Sequence, residues 1–157
     1  MTRAWNPVET RLLSEYLALR WPNNRHVQRV RVGSYDPAVD VEGLTPAEAR
    51  ALGVWRRWVD AVVWEPARIV LVEASVTPDP GHVAQLELYV RLWPRTPEYA
   101  EWAAWPVHGH LVYAMPDPVL PGMAAERGFT MEVFQPPWVR TYLEGLAARR
   151  YRGAAAP

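Results

Sequence analysis

The stretch Arg57-Trp58-Val59-Asp60-Ala61-Val62-Val63-Trp64 runs through Glu65-Pro66-Ala67 into Arg68-Ile69-Val70-Leu71-Val72-Glu73-Ala74-Ser75. Both flanks are rich in Val, Ile or Trp and have the length of a strand, and the Pro-containing break predicts a tight β-hairpin. Alternation along the first flank puts Trp58, Asp60, Val62 and Trp64 on one face. Along the second it puts Glu73 and Ser75 together. A hairpin of this kind sets Asp60 beside Glu73, two carboxylates at the end of neighbouring strands. Charges among Val, Ile and Trp need a compensating partner, because burial without one is costly. Two kinds of partner are open. Arg57 or Arg68 could pair with the acids. Alternatively, a hard cation such as Mg²⁺ or Mn²⁺ takes oxygen ligands like these and activates a water against a phosphodiester.

Outward from the hairpin, helix starts are marked where Pro follows a capping residue. Asn6-Pro7-Val8-Glu9 supplies an N-cap, an N1 proline and an N3 Glu ahead of Leu12, Leu13, Tyr16 and Leu17. That helix is expected to end near Trp21-Pro22. His26 to Val32 alternates, with Val30 and Val32 on one face and Arg29 and Arg31 on the other, as in a half-exposed strand. Thr45-Pro46-Ala47-Glu48 reads as a second capping box, opening a short helix that closes near Gly53. Downstream, Asp79-Pro80 caps a helix through Trp93 with Val83, Leu86, Val90 and Trp93 as its buried stripe. His108 to Ala114 is a strand, Asp117-Pro118 opens a helix closed by Gly128, Phe129 to Phe134 is a strand, and Trp138 to Arg150 is a terminal helix. The order α-β-(α)-β-β-α-β-α-β-α defines one α/β domain, an α+β sandwich, over residues 1–152, with 153–157 a short tail.

A helix, a strand, a strand with Asp60, a strand with Glu73-Ala74-Ser75, a helix carrying Gln85 and Tyr89, then a strand: this order resembles the PD-(D/E)XK nuclease-like superfamily from Glu9 to about Phe134. The resemblance implies a restriction-endonuclease-like core, a central mixed sheet flanked by helices. By position, Asp60 and Glu73 are similar to the two metal ligands of that motif. Gln85 and Tyr89, one helical turn apart, stand where many members place DNA-side or motif-supporting residues, and Glu9 matches an acidic position on the first helix of some. Where the motif has Lys, this chain has Ser75. All seventeen of its basic residues are Arg, so no Lys can migrate in. That Lys is understood to orient the attacking water and to stabilise phosphate charge. Ser hydrogen-bonds a water but supplies no charge, and Arg57 or His82 would have to be brought in by the fold.

The resemblance therefore implies one of two functions. One is a nuclease-fold protein with a degenerate motif that works by binding, in a DNA-processing or phage/virion (head-completion or neck-like) assembly. The other is an active Mg²⁺- or Mn²⁺-dependent DNA endonuclease whose site is built from Asp60, Glu73, Ser75, Gln85, Tyr89 and Glu9. DNA, and a protein partner or a second copy of the chain, are the expected partners; the cytoplasm or a virion is the expected location.

Composition sets the outer bounds. At 157 residues, half of them hydrophobic, the chain can bury a core of its own. It has no Cys, which excludes disulfides, thiol nucleophiles and Cys-ligated metals. Seventeen acidic residues balance the seventeen Arg, so no global field draws the chain to nucleic acid, while Arg still offers local phosphate contacts. No apolar run approaches the roughly 20 residues of a membrane span, and the start lacks an apolar leader, so no membrane association is expected. His108 and His110 share a strand face, a geometry that can bind metal, although polar residues at a strand start are the simpler account. Most of the nine Trp fall in expected elements and read as packing. Trp102 and Trp105, with Tyr99 between Pro97 and Pro106, read as a protein-contact surface.

Overall fold

A computed structural model of the chain describes residues 6–34 and 56–154. Helix α1 (Pro7–Arg20) opens on Asn6, whose side chain accepts the Val8 N–H, with Pro7 in the first turn. Strands β1 (His26–Val32), β2 (Arg57–Glu65) and β3 (Arg68–Ser75) follow, then α2 (Pro80–Leu92), capped by Asp79. Two 3₁₀ turns, Trp93–Arg95 and Pro97–Trp102, lead to β4 (Val107–Tyr113), α3 (Leu120–Glu126), β5 (Thr130–Val133) and α4 (Pro137–Ala154). The Thr45–Glu48 capping box and its helix lie outside the described residues. No helix among the described residues is long and apolar enough to cross a membrane.

The five strands form one sheet in the order β1-β2-β3-β4-β5. β1, β2 and β3 pair antiparallel, and β3, β4 and β5 pair parallel. This is the mixed sheet flanked by helices, in the element order on which the resemblance rests. The hairpin closes with Glu65 opposite Arg68, so Pro66 and Ala67 form a two-residue turn. α1 covers one face, packing Leu13, Tyr16, Leu17 and Trp21 on Ala61, Val63, Val70, Val72 and Val112. α2 covers the other with Val83, Leu86 and Tyr89 against Val62, Ile69, Leu71 and Leu111. A third cluster joins α1 to α4 beyond the strand ends, through Leu12, Val76, Ala114 and Val139.

Four local details differ from the sequence reading, the first in β2, where Val59 rather than Trp58 joins the face of Val62 and Trp64. The buried stripe of α2 runs through Tyr89, with Val90 only partly buried; both positions border the apolar face, and the larger ring reaches further into it. Asp117 caps as expected, accepting from Val119 and Leu120, but the helix itself starts at Leu120. The last helix continues to Ala154, two residues into the expected tail.

Close packing of α2 on β4 depends on a missing side chain. A Cβ on Gly109 would stand 2.6 Å from Phe129 Cδ1 and 2.9 Å from Leu86 Cδ2. Gly109→Ala should therefore destabilise the fold by about 1–3 kcal/mol, the usual range for overpacking. Urea unfolding checks this, and an unchanged midpoint would show that the two side chains give way.

Candidate functional site

The hairpin register carries Ala61 opposite Val72, which makes Asp60 and Glu73 the next pair. At that step side chains take over from the main-chain ladder. The Asp60 N–H donates to Glu73 Oε1 at 3.2 Å, and the Ala74 N–H donates to Asp60 Oδ2 at 3.0 Å. Each acid thus satisfies an amide of the opposite strand. Glu73 is 2% exposed and Asp60 half-buried. Arg68 is engaged elsewhere, by Glu65 Oε2 at 2.6 Å.

Two residues further along β3, Ser75 is 6% exposed, and its hydroxyl donates to Glu9 Oε1 at 2.7 Å. This bond ties the first turn of α1 to the end of the strand. Parallel pairing places Tyr113 of β4 beside Ser75. The His82 ring, in the first turn of α2, stacks on Tyr113 with centroids 5.8 Å apart at 18°. Its Nδ1 lies 3.3 Å from the Tyr113 hydroxyl, which donates to the Asp79 carbonyl at 3.4 Å. Glu9, Ser75, Asp79 and His82, with Asn6 and Tyr142, line a pocket of about 380 Å³. The fold therefore brings together Glu9, Ser75 and His82 at the end of β3, and Asp60 and Glu73 just behind them on the hairpin.

Gln85 and Tyr89 are placed differently. Tyr89 is 1% exposed within the core between α2 and the sheet, where its ring packs against apolar neighbours. Gln85 is half-buried on the preceding turn. Neither lines the pocket. The two histidines of β4 are also accounted for within the sheet. His108 Nε2 lies 2.8 Å from Thr130 Oγ1, and His110 Nε2 lies 2.7 Å from the Tyr16 hydroxyl. Tyr16 donates in turn to Glu132 Oε2 at 2.7 Å. Burial, followed by that bond to Glu132, holds the Tyr16 hydroxyl well above its ordinary pKa. In the Pro97–Pro106 segment, Tyr99 and Trp102 fold back on Trp64, while Trp105 stays 37% exposed.

A divalent cation needs several oxygen ligands at once. Among the described residues, no three or more His, Asp or Glu side chains come together in a way that could hold a metal ion. The acid pair supplies two carboxylates that already serve main-chain amides. Asp60 and Glu73 are the two carboxylates that would hold a Mg²⁺ or Mn²⁺ ion, with waters and phosphate oxygens filling its other positions. Their bonds to the two amides also fasten β2 to β3 where the ladder stops.

No protein-family model matches the chain, and no curated protein matches it. Among solved structures it is similar to a repair endonuclease from Pyrococcus abyssi, with a TM-score of 0.47 and 14% identity over 85% of this chain. The chain spans about half, 48%, of that structure's length.

Proposed function

We propose that this chain is a nuclease-fold protein that binds nucleic acid without cutting it, working within a larger nucleic-acid-processing or virion assembly. The observation that carries the reading is the use made of Asp60 and Glu73, each committed to an amide of the opposite strand. Cutting requires an activated water and stabilisation of the leaving oxygen; binding requires only that phosphate charge be met. Ser75 stands where the resemblance has Lys and is itself bonded to Glu9, so it brings no cation to the pocket.

The test incubates the full chain with supercoiled plasmid, linear duplex and branched DNA in Mg²⁺, Mn²⁺ or EDTA. Retarded but intact DNA is expected, with the same retardation in EDTA. Ser75→Lys should bring no cleavage, because the acids behind it remain engaged. Metal-dependent cleavage that Asp60→Ala removes would overturn the reading, and so would a folded chain that binds none of these DNAs.

A further inference from the structure

Among the described residues, Arg11, Arg20, Arg56, Arg68, Arg91 and Arg127 each reach a carboxylate. Arg29 and Arg31, on the edge strand β1, do not. Their guanidinium carbons lie instead 5.4 and 4.6 Å from the centroid of the Trp58 ring on β2. Both arginines are exposed, and Trp58 is half-buried beneath them. An exposed guanidinium held over an aromatic ring still offers N–H donors in the fork that matches a phosphate. The stack also limits the rotamers of two long side chains before any ligand arrives, which lowers the ordering cost of binding.

The backbone is bent beside this ring. Arg29 has φ 55°, the left-handed region, and no other described non-glycine residue has a positive φ. An L-residue pays roughly 1–2 kcal/mol to sit there, so something in the surroundings must hold it. The strand changes face at this residue. Before it, Gln28 bonds Ser14 on the α1 side; after it, Val30 joins the α2-side core. The partner strand does the same, with Ala61 packed on the α1 side and Val59 on the α2 side. Arg31 pairs directly with Trp58, and Arg29 falls between the Gln28–Ala61 and Val30–Val59 pairs, at the level of Asp60. Beside the bend both guanidinium groups lie over one ring, two residues from the acid pair.

We infer that Arg29 and Arg31, held on Trp58, grip the phosphate backbone of the bound nucleic acid at the β1–β2 edge of the sheet. This rests on the reading that the chain binds nucleic acid and names the surface that does so. Trp58 acts as the support that presents the two cations, and the contact is with backbone phosphate rather than with base edges. It gives affinity without sequence preference.

The test measures binding of a fluorescein-labelled single strand and of its duplex as a function of NaCl. Wild type is compared with Arg29→Gln, Arg31→Gln, the double variant and Trp58→Leu, with Arg91→Gln as an ion-paired surface control. Each phosphate contact contributes about 0.9 to the slope of log K against log salt for duplex, or about 0.7 for a single strand. Each single Arg variant should lower the slope by that amount, and the double variant by about twice it. Equivalently, each lost contact makes the fall in duplex affinity between 50 and 200 mM salt about 3- to 4-fold smaller. Trp58→Leu should weaken binding with little change in slope, since both charges remain. Arg91→Gln should leave the slope alone.

Wild-type binding whose slope none of the β1 variants changes would overturn this surface and leave the nucleic-acid reading standing. Failure of the wild type to bind either DNA overturns both. Competition by a poly-glutamate peptide as strong as that by DNA of equal charge would assign the two arginines to an acidic protein instead.

Discussion

Acidification from neutrality to pH 4 should cost the fold on the order of 3 kcal/mol through one side chain, His110. The residue is buried on β4 beneath α1, with Trp21 edge-on at 5.1 Å and the Tyr16 hydroxyl at 2.7 Å. Because Tyr16 gives its own proton to Glu132, the imidazole donates to it from Nε2. Burial disfavours the imidazolium and pushes the pKa from 6.5 down to about 4. Glu132 and Glu65 pull it up, while His108 and Arg20 push it further down.

The sign follows from where each state takes up its proton. The unfolded chain protonates this histidine below pH 6.5, and the folded chain only near pH 4. The stability tied to its neutral form is complete above 6.5 and falls by up to about 1.4 kcal/mol per pH unit as pH drops through that window. It is exhausted below the folded pKa. His108, lowered chiefly by burial, acts in the same direction. Glu15, Glu65 and Glu87 are also lowered, from 4.5, so their contribution is lost only at still lower pH. Denaturant unfolding between pH 7 and 5 therefore lies above the range in which these three glutamates titrate. His110→Gln keeps an N–H for Tyr16 and should flatten the slope over that range; equal slopes in variant and wild type would remove His110 from the account.

That network was hidden from the sequence for a physical reason. Tyr16, His110 and Glu132 lie in α1, β4 and β5, and only the parallel crossovers bring them within bonding distance. What could be read from sequence was local. Asn6-Pro7 and Asp79-Pro80 announce α1 and α2 because cap and first turn are neighbours along the chain. Asp60 opposite Glu73 was legible as well, since a two-residue turn at Pro66-Ala67 fixes every later pair of the hairpin. What each carboxylate does there was not legible. Whether an acid holds a cation, an arginine or an amide depends on where the strands separate, and alternation carries no sign of that. The bend at Arg29 escaped for the same reason: the sequence alternates smoothly through it, and the change of face is visible only in the tertiary packing of its neighbours.

Removing both acids together, as Asp60→Ala with Glu73→Ala, should destabilise the fold by about 2–6 kcal/mol, because each orphaned buried amide costs about 1–3 kcal/mol. The amides concerned are those of Asp60 and Ala74. Asp60→Asn and Glu73→Gln each retain a carbonyl oxygen able to accept the same N–H, so each should lose no more than about 1 kcal/mol. A metal centre behaves in the opposite sense. Two carboxylates gathered for a cation repel each other when it is absent, so neutralising either one stabilises the metal-free protein and abolishes any rise in Tm on adding Mg²⁺ or Mn²⁺. The experiment is a set of unfolding curves for wild type, the two amide variants and the double alanine variant, in EDTA and in each metal. Loss of stability in the double alanine variant, with amide variants near wild type and no metal-dependent Tm, is the outcome expected of a clasp. Amide variants more stable than wild type in EDTA, together with a metal-induced Tm rise confined to wild type, would make Asp60 and Glu73 ligands and return the chain to the nucleases that cut. The sign of the change in EDTA decides between them before any DNA is added.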